Sequence, residues 1–300
     1  MKTVCESFAS RPQVGFVPKC VIGEVTHLLR LLQAYLDEIE TEGLILALDW
    51  EKAFDRCSWD YLHLASEALN FGPHFIQNLT TMTNKYSPPM RKVKQNGIRE
   101  KPFSILSGVP QGCPSLPLAF LVIAEGLTRL ILESDIAGIP VGNTTHKLSR
   151  FSNVTQLLLK GYSEIPKVWP LLDQYERESG MCANAQKNVG IQCGSLKHTT
   201  VPPDLTPKGV IIHWVKPNNS TKILGFPFWM EGEEASFWES LYQIIKTKLA
   251  LWHSHFMLTI TCRAMLANFM IYSRPRYWIQ TRVALKWFHQ ALKSDVRALL

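Results

Sequence analysis

Asp49 ends the run LILALDW (44–50), a continuous apolar stretch of strand length. Such a run reads as a strand buried on both faces. A carboxylate where that strand emerges is held by the strand while the loop beyond opens to solvent, which suits it to carry a cation or a proton. Taken alone, an aspartate there more often caps the next turn, and Phe54 beside it reads as core. A second candidate is SGVPQGCPSLP (107–117), where Gly108, Pro110, Gln111, Gly112 and Pro114 precede an apolar helix. Glycines let backbone N–H groups approach a ligand, a helix N-terminus favours an anion, and Gln111 adds a side chain able to face a base or sugar. A plain Pro/Gly loop has the same composition. A third is RKVKQNGIREK (91–101), with Arg91, Lys92, Lys94, Arg99 and Lys101 around an Asn96-Gly97 hairpin signal. A basic ribbon of this kind tracks a phosphate backbone, although charged hairpins are more often merely solvated.

The elements that position these groups can be read from periodicity. THLLRLLQAYLDEIE (26–40) sets Leu28, Leu29, Leu32, Tyr35, Leu36 and Ile39 on one helical face, with Gly43 as its stop. Ser58 caps WDYLHLASEALNF, a helix ended by Gly72-Pro73, and HFIQNLTTMT makes another. LAFLVIAEGLTRLILES is a further helix, followed by a hairpin in KLSRFSNVTQLLLKG (147–161) and a helix near 165–178. VGIQCG and TKILGFPFW read as strand pairs. From about residue 235 the chain turns helical and rich in Trp and Tyr (Trp238, Tyr242, Trp252, Trp278, Trp287), residues that at this spacing read as core.

The chain of 300 residues is 46% hydrophobic and 19% charged, which is globular and not disordered. Its formal net charge of +7 favours a polyanionic partner. Seven cysteines without a C-x-x-C pair argue against a zinc site, a disulfide framework or a disulfide-linked partner. The N-terminus lacks a signal-peptide core, and no apolar run is of membrane-spanning length. An intracellular protein, cytoplasmic or nuclear and free of the membrane, is expected.

DWEKAFD (49–55) followed by SGVPQGCP (107–114) resembles the reverse transcriptases of non-LTR (long interspersed) retrotransposons, and the resemblance runs from QVGFVP (13–18) to ILGFPF (223–228) and beyond. It implies an α+β fold, a right-hand polymerase palm of antiparallel sheet backed by helices. Residues 1–229 would be palm with incomplete fingers, and 230–300 a helical, thumb-like region that is cut short. The implied activity is RNA-directed DNA polymerase, with an RNA template, a DNA primer and Mg²⁺. By the same resemblance Asp49 matches the palm aspartate that holds the metal ions, in a two-metal nucleotidyl transfer. Trp50 and Glu51 would lie by the triphosphate through their backbone, Phe54 would gate against a 2′-OH, and Gln111 and Gly112 would support the template base and incoming nucleotide. Lys187, in SGMCANAQKN, matches a lysine that protonates pyrophosphate, and Leu224 and Gly225 match the primer grip.

One block departs from the pattern. The family carries Phe/Tyr-Ala-Asp-Asp at the turn of a palm hairpin, and HKLS before it with TQLLL after it align that turn with Phe151-Ser152-Asn153-Val154. Asn153 and Val154 stand where the acids belong. An amide oxygen brings no charge to a hard cation, so the degenerate tip argues against Mg²⁺ binding and catalysis in this copy. Cys20 replaces a phosphate-contacting arginine, and CANAQKN lacks the apolar alternation expected of a strand. The expectation is a catalytically impaired copy. The alternatives are a non-catalytic module that binds RNA or an RNA–DNA hybrid, and an inert transposon relic.

Overall fold

Helix α1 (Lys2–Phe8) precedes α2 (Ile22–Glu38), whose Val25, Leu29, Leu32 and Leu36 are buried as the helical period predicts. The computed structural model describes residues 2–109, 112, 115–216, 219–229, 234–253, 258–279 and 283–299. Strand β1 (Gly43–Leu48) follows, buried at every position, and the short turn of helix α3 (Ala53–Arg56) leads to α4 (Trp59–Ala68). Ser58 caps α4, its hydroxyl accepting from the Tyr61 N–H at 3.3 Å. Helix α5 (Pro73–Met82) begins with Pro at its first turn, where a missing N–H costs nothing. Gly43 is not the helix stop expected of it. It opens β1, where a Cβ would sit 2.4 Å from the Leu36 side chain.

An exposed arm comes next. Strand β2 (Met90–Arg91) pairs with β5 (Phe103–Ser104), and β3 (Lys94–Gln95) with β4 (Ile98–Arg99). Asn96 and Gly97 both have positive φ, 50° and 86°, the two-residue hairpin that Asn-Gly favours. Helix α6 (Leu116–Glu133) leads to the hairpin β6 (Ile139–Val141) and β7 (Thr144–His146), then to β8 (Leu148–Phe151) and β9 (Val154–Leu159). Helix α7 (Ile165–Ser179) ends at Gly180 in the left-handed conformation. Strands β10 (Asn188–Cys193) and β11 (Ile212–Trp214) complete the unit Met1–Lys216.

The central sheet has the order β11-β10-β1-β9-β8. It is antiparallel except at its edge, where β10 and β11 run parallel. Leu44, Leu46 and Leu48 of β1, with Leu157 and Leu159 of β9, pack into the core formed with α4, α6 and α7. Each such leucine contributes about 1.5–3 kcal/mol by leaving water. The alternate residues Ile45, Leu158 and Ile191 are buried on the opposite face, where α2 contacts β1, β8 and β10. Residues 182–187, which lack the apolar alternation expected of a strand, form a loop that enters β10 only at Asn188.

The second unit spans Pro217–Leu300. It holds the hairpin β12 (Ser220–Ile223) and β13 (Phe226–Trp229), with helices α8 (Glu234–His253), α9 (Ile260–Leu266), α10 (Ser273–Ile279) and α11 (Lys286–Leu299). Residues 267–272 continue α9 into α10 as a π-helical segment. The unit divides from the first at Lys216–Pro217, ahead of the 229/230 boundary expected from sequence, so the hairpin groups with the helices. Trp238 is fully buried with Leu241, Ile245, Ile271 and Phe288, and Tyr242 and Trp278 pack against them. Trp287 stacks edge-on against Tyr242, and the side chain of Trp252 lies outside the described residues.

Candidate active site

Asp49 stands one residue past β1, half-buried, as its position at the end of an apolar run predicts. The backbone after it is tied to the loop that follows α7. Trp50 bridges Ala183, the Glu51 N–H donates to the Cys182 carbonyl at 2.8 Å, and the Asn184 N–H donates to the Asp49 carbonyl at 2.8 Å. That loop turns through Asn184, whose side chain accepts from the Gln186 N–H. It delivers Lys187 to the site, with Nζ 3.5 Å from Asp49 Oδ2. The structure therefore brings together the two residues assigned catalytic roles from sequence.

The hairpin tip lies beside them. Leu48 is paired with Thr155, so extending the register by one residue sets Asp49 opposite Val154. Phe151 pairs with Val154, leaving Ser152 and Asn153 as a two-residue turn. Ser152 is held at φ 54°, a left-handed conformation uncommon outside glycine and asparagine. Segment 12–15 holds the strand beneath this turn. The Arg150 N–H donates to the Pro12 carbonyl at 2.8 Å, and the Val14 N–H donates to the Arg150 carbonyl at 2.9 Å. Gly15 then presses on the turn so closely that a Cβ would lie 2.0 Å from the Ser152 nitrogen. Only glycine fits that approach.

Trp50 faces the protein interior. Its indole N–H donates to Thr155 Oγ1 at 3.1 Å and its ring meets Tyr175 edge-on. Only its backbone can serve the role expected of it. Glu51 is exposed, and its carboxylate lies 3.8 Å from Arg56. Phe54 is half-buried in α3, its ring 4.7 Å from that of Phe120 and 6.3 Å from that of Phe16. The Phe54 carbonyl accepts from the Val109 N–H and the Cys57 carbonyl from the Gly108 N–H, so the glycine loop starts from the turn that carries Phe54. Gly112 is exposed with φ 87°, and Gln111 lies outside the described residues. Arg91, Lys92, Lys94, Arg99 and Lys101 are all exposed on the arm, with Lys94 directly opposite Arg99. Leu224 and Gly225 form the turn of the second unit's hairpin, where the Leu224 carbonyl accepts from Tyr277 Oη.

Arg150 was not singled out from sequence, and nothing in a strand pattern marks it. It is fully buried beneath the tip, donating from Nη1 to the Ala124 carbonyl and to Thr128 Oγ1, while Nε and Nη2 have no partner. Burial pushes its guanidinium below the ordinary arginine range, against the opposing fields of Tyr175 and Glu125. Gln13, bridged to it through the backbone, is also buried with both side-chain polar atoms unpaired.

The family model for reverse transcriptase (RNA-dependent DNA polymerase) matches residues 1–228. The chain belongs to the reverse transcriptase family. Among curated proteins it is similar to the Transposon TX1 uncharacterized 149 kDa protein of Xenopus laevis, with 26% identity over 286 residues. The match takes in 92% of this chain and spans 21% of that relative's length. These findings bear out the reverse transcriptase domain of a non-LTR retrotransposon that DWEKAFD and SGVPQGCP pointed to, and with it the α+β palm.

Among solved structures it is similar to apo telomerase of Candida tropicalis truncated from its C-terminal domain, at 13% identity and TM-score 0.47, covering 62% of this chain and 40% of that one. It is also similar to telomerase of the same organism in complex with a TWJ fragment of telomeric RNA, at 11% identity and TM-score 0.49, covering 81% and 39% of the two chains.

The chemistry of this family of enzymes calls for divalent metal, and the donor set here does not fit it. Among the described residues no three His, Cys, Asp or Glu side chains are gathered as a metal site requires. Asp49 faces a valine and an ammonium, and Asn153 offers an uncharged amide. A magnesium ion needs anionic oxygen to offset the loss of its hydration water.

Proposed function

We propose that this chain is a reverse-transcriptase palm whose polymerase chemistry is impaired at the hairpin tip. The observation that carries the reading is Asp49 at the end of β1 with Val154 opposite it in extended register, and Asn153 in place of an acid at the adjoining hairpin turn. A palm that offsets the charge of phosphoryl transfer with two bridging carboxylates loses most of its cation affinity when one becomes an amide and its neighbour an alkyl group. The remaining residues keep places in which they could still serve substrate. The backbone at Trp50 and Glu51 follows directly on Asp49, and Phe54 stands in α3 with its ring against Phe16 and Phe120. Arg91, Lys92, Lys94, Arg99 and Lys101 offer an RNA template exposed cations that no carboxylate among the described residues pairs.

That arm favours a second reading, in which the chain still binds RNA or an RNA–DNA hybrid without acting on it. Lys94 and Arg99 repel one another across the strand pair, and a phosphate between them relieves that repulsion. Both readings are tested on the native protein with an RNA template, a DNA primer and Mg²⁺ or Mn²⁺. No primer extension is expected. Binding of the duplex is expected to weaken steeply with salt. Extension that disappears in Asp49→Ala overturns the first reading, and binding insensitive to salt overturns the second.

A further inference from the structure

We infer that Lys187 is the resident counter-cation of Asp49, its ammonium offsetting the carboxylate charge at the end of β1 that would otherwise be open to a divalent ion. The inference rests on the impaired-palm reading and adds to it what now balances the one surviving carboxylate. Backbone hydrogen bonds bring the segment that carries the lysine to the end of β1. Hydrogen bonds from Glu51 to Cys182 and from Asn184 to Asp49 join the two segments on either side of the carboxylate. The Lys187 N–H donates to the Asn184 carbonyl at 3.1 Å, which closes the turn and returns the lysine toward Asp49. The ammonium then lies 3.5 Å from Oδ2. The strand register sets Val154 opposite Asp49, and Asn153 at the tip is neutral.

One negative charge beside one positive charge leaves nothing over for a divalent ion. The pair is also open to solvent, with side-chain exposure of 37% for Asp49 and 67% for Lys187. Water and salt therefore reach it, and its effect on an incoming cation is one of charge and not of steric closure.

The test is Mn²⁺ alone, titrated into the protein without nucleic acid and followed by loss of the free-ion electron paramagnetic resonance signal. The native chain is expected to show no saturable site below about 1 mM. Lys187→Met is expected to tighten binding about tenfold at low ionic strength, the gain expected from removing one positive charge about 4 Å from the ion. The gain should shrink at high salt. Lys187→Arg keeps the charge and should behave as native, while Asp49→Asn in the Lys187→Met background should return binding to the native level. Lys187 is exposed, so these variants leave the core intact.

Equal Mn²⁺ binding by native and Lys187→Met overturns the inference. So does a native chain that takes up one Mn²⁺ tightly and loses it in Asp49→Asn. Primer extension by the native protein would instead defeat the impaired-palm reading, whatever the titration gives. A palm that neither extends primers nor responds to Lys187→Met keeps that reading and loses only this inference.

Discussion

Two strand ends meet at this site, and they differ in what has been kept. The end of β1 holds its aspartate, with Trp50 anchored to Thr155 and the following backbone joined to residues 182–184. The tip between β8 and β9 holds only its shape. Its two-residue turn, its left-handed Ser152 and its close fit to Gly15 are all in place, while Asn153 and Val154 bring no carboxylate to it. The shape of this turn is therefore set without any acidic residue at its tip. The hairpin is specified by the register of β8 on β9 and by segment 12–15, and neither depends on the acids.

The largest effect should come from disturbing the tip's frame. Gly15→Val places a branched side chain into the Phe151–Ser152 backbone, and either the turn or segment 12–15 must move. A loss of about 3 kcal/mol or more is expected, which lowers the melting temperature by roughly 6–12 °C. A smaller change in the opposite direction is expected from Arg150→Met. It removes a fully buried guanidinium with two unpaired nitrogens, and its partners keep a bond without it, since Thr128 Oγ1 still donates to the Ala124 carbonyl. Denaturant unfolding should show a gain of about 1–3 kcal/mol. A loss there would mean that the arginine supports the hairpin.

At the other strand end, Trp50→Phe leaves the buried Thr155 hydroxyl without its indole partner and should cost about 1–2 kcal/mol. It tests whether the Asp49 side is as dependent on its anchor as the tip is on Gly15. The smallest effect belongs to the arm. Lys94→Ala should leave stability within about 0.5 kcal/mol and reduce the salt slope of duplex binding by about one phosphate contact.

Much of this was legible in the residues. The apolar run announced β1 and its aspartate, Asn96-Gly97 announced the hairpin of the arm, and Ser58 announced the cap of α4. The flanks HKLS and TQLLL located the tip by their resemblance to the family's palm hairpin, and the pairing of β8 with β9 places the two-residue turn there. What escaped notice depends on distant partners. Gly15 reads as a loop glycine until Ser152 is placed against it. Arg150 reads as a surface cation, since nothing local reveals that α6 and segment 12–15 cover it. The proximity of Lys187 to Asp49 follows from the loop that crosses the end of β1, a contact between residues far apart in the chain.

The impaired-palm reading places the fault at Asn153 and Val154, within a hairpin whose frame is kept. It is tested most directly by restoring acids at these two positions. Native protein and the Asn153→Asp, Val154→Asp double variant are compared in primer extension on an RNA template with Mg²⁺. No product is expected from the native chain, and template-dependent extension is expected from the repaired one, abolished by adding Asp49→Asn. Extension by the native chain, or a correctly folded repaired chain that stays inert, would contradict that reading.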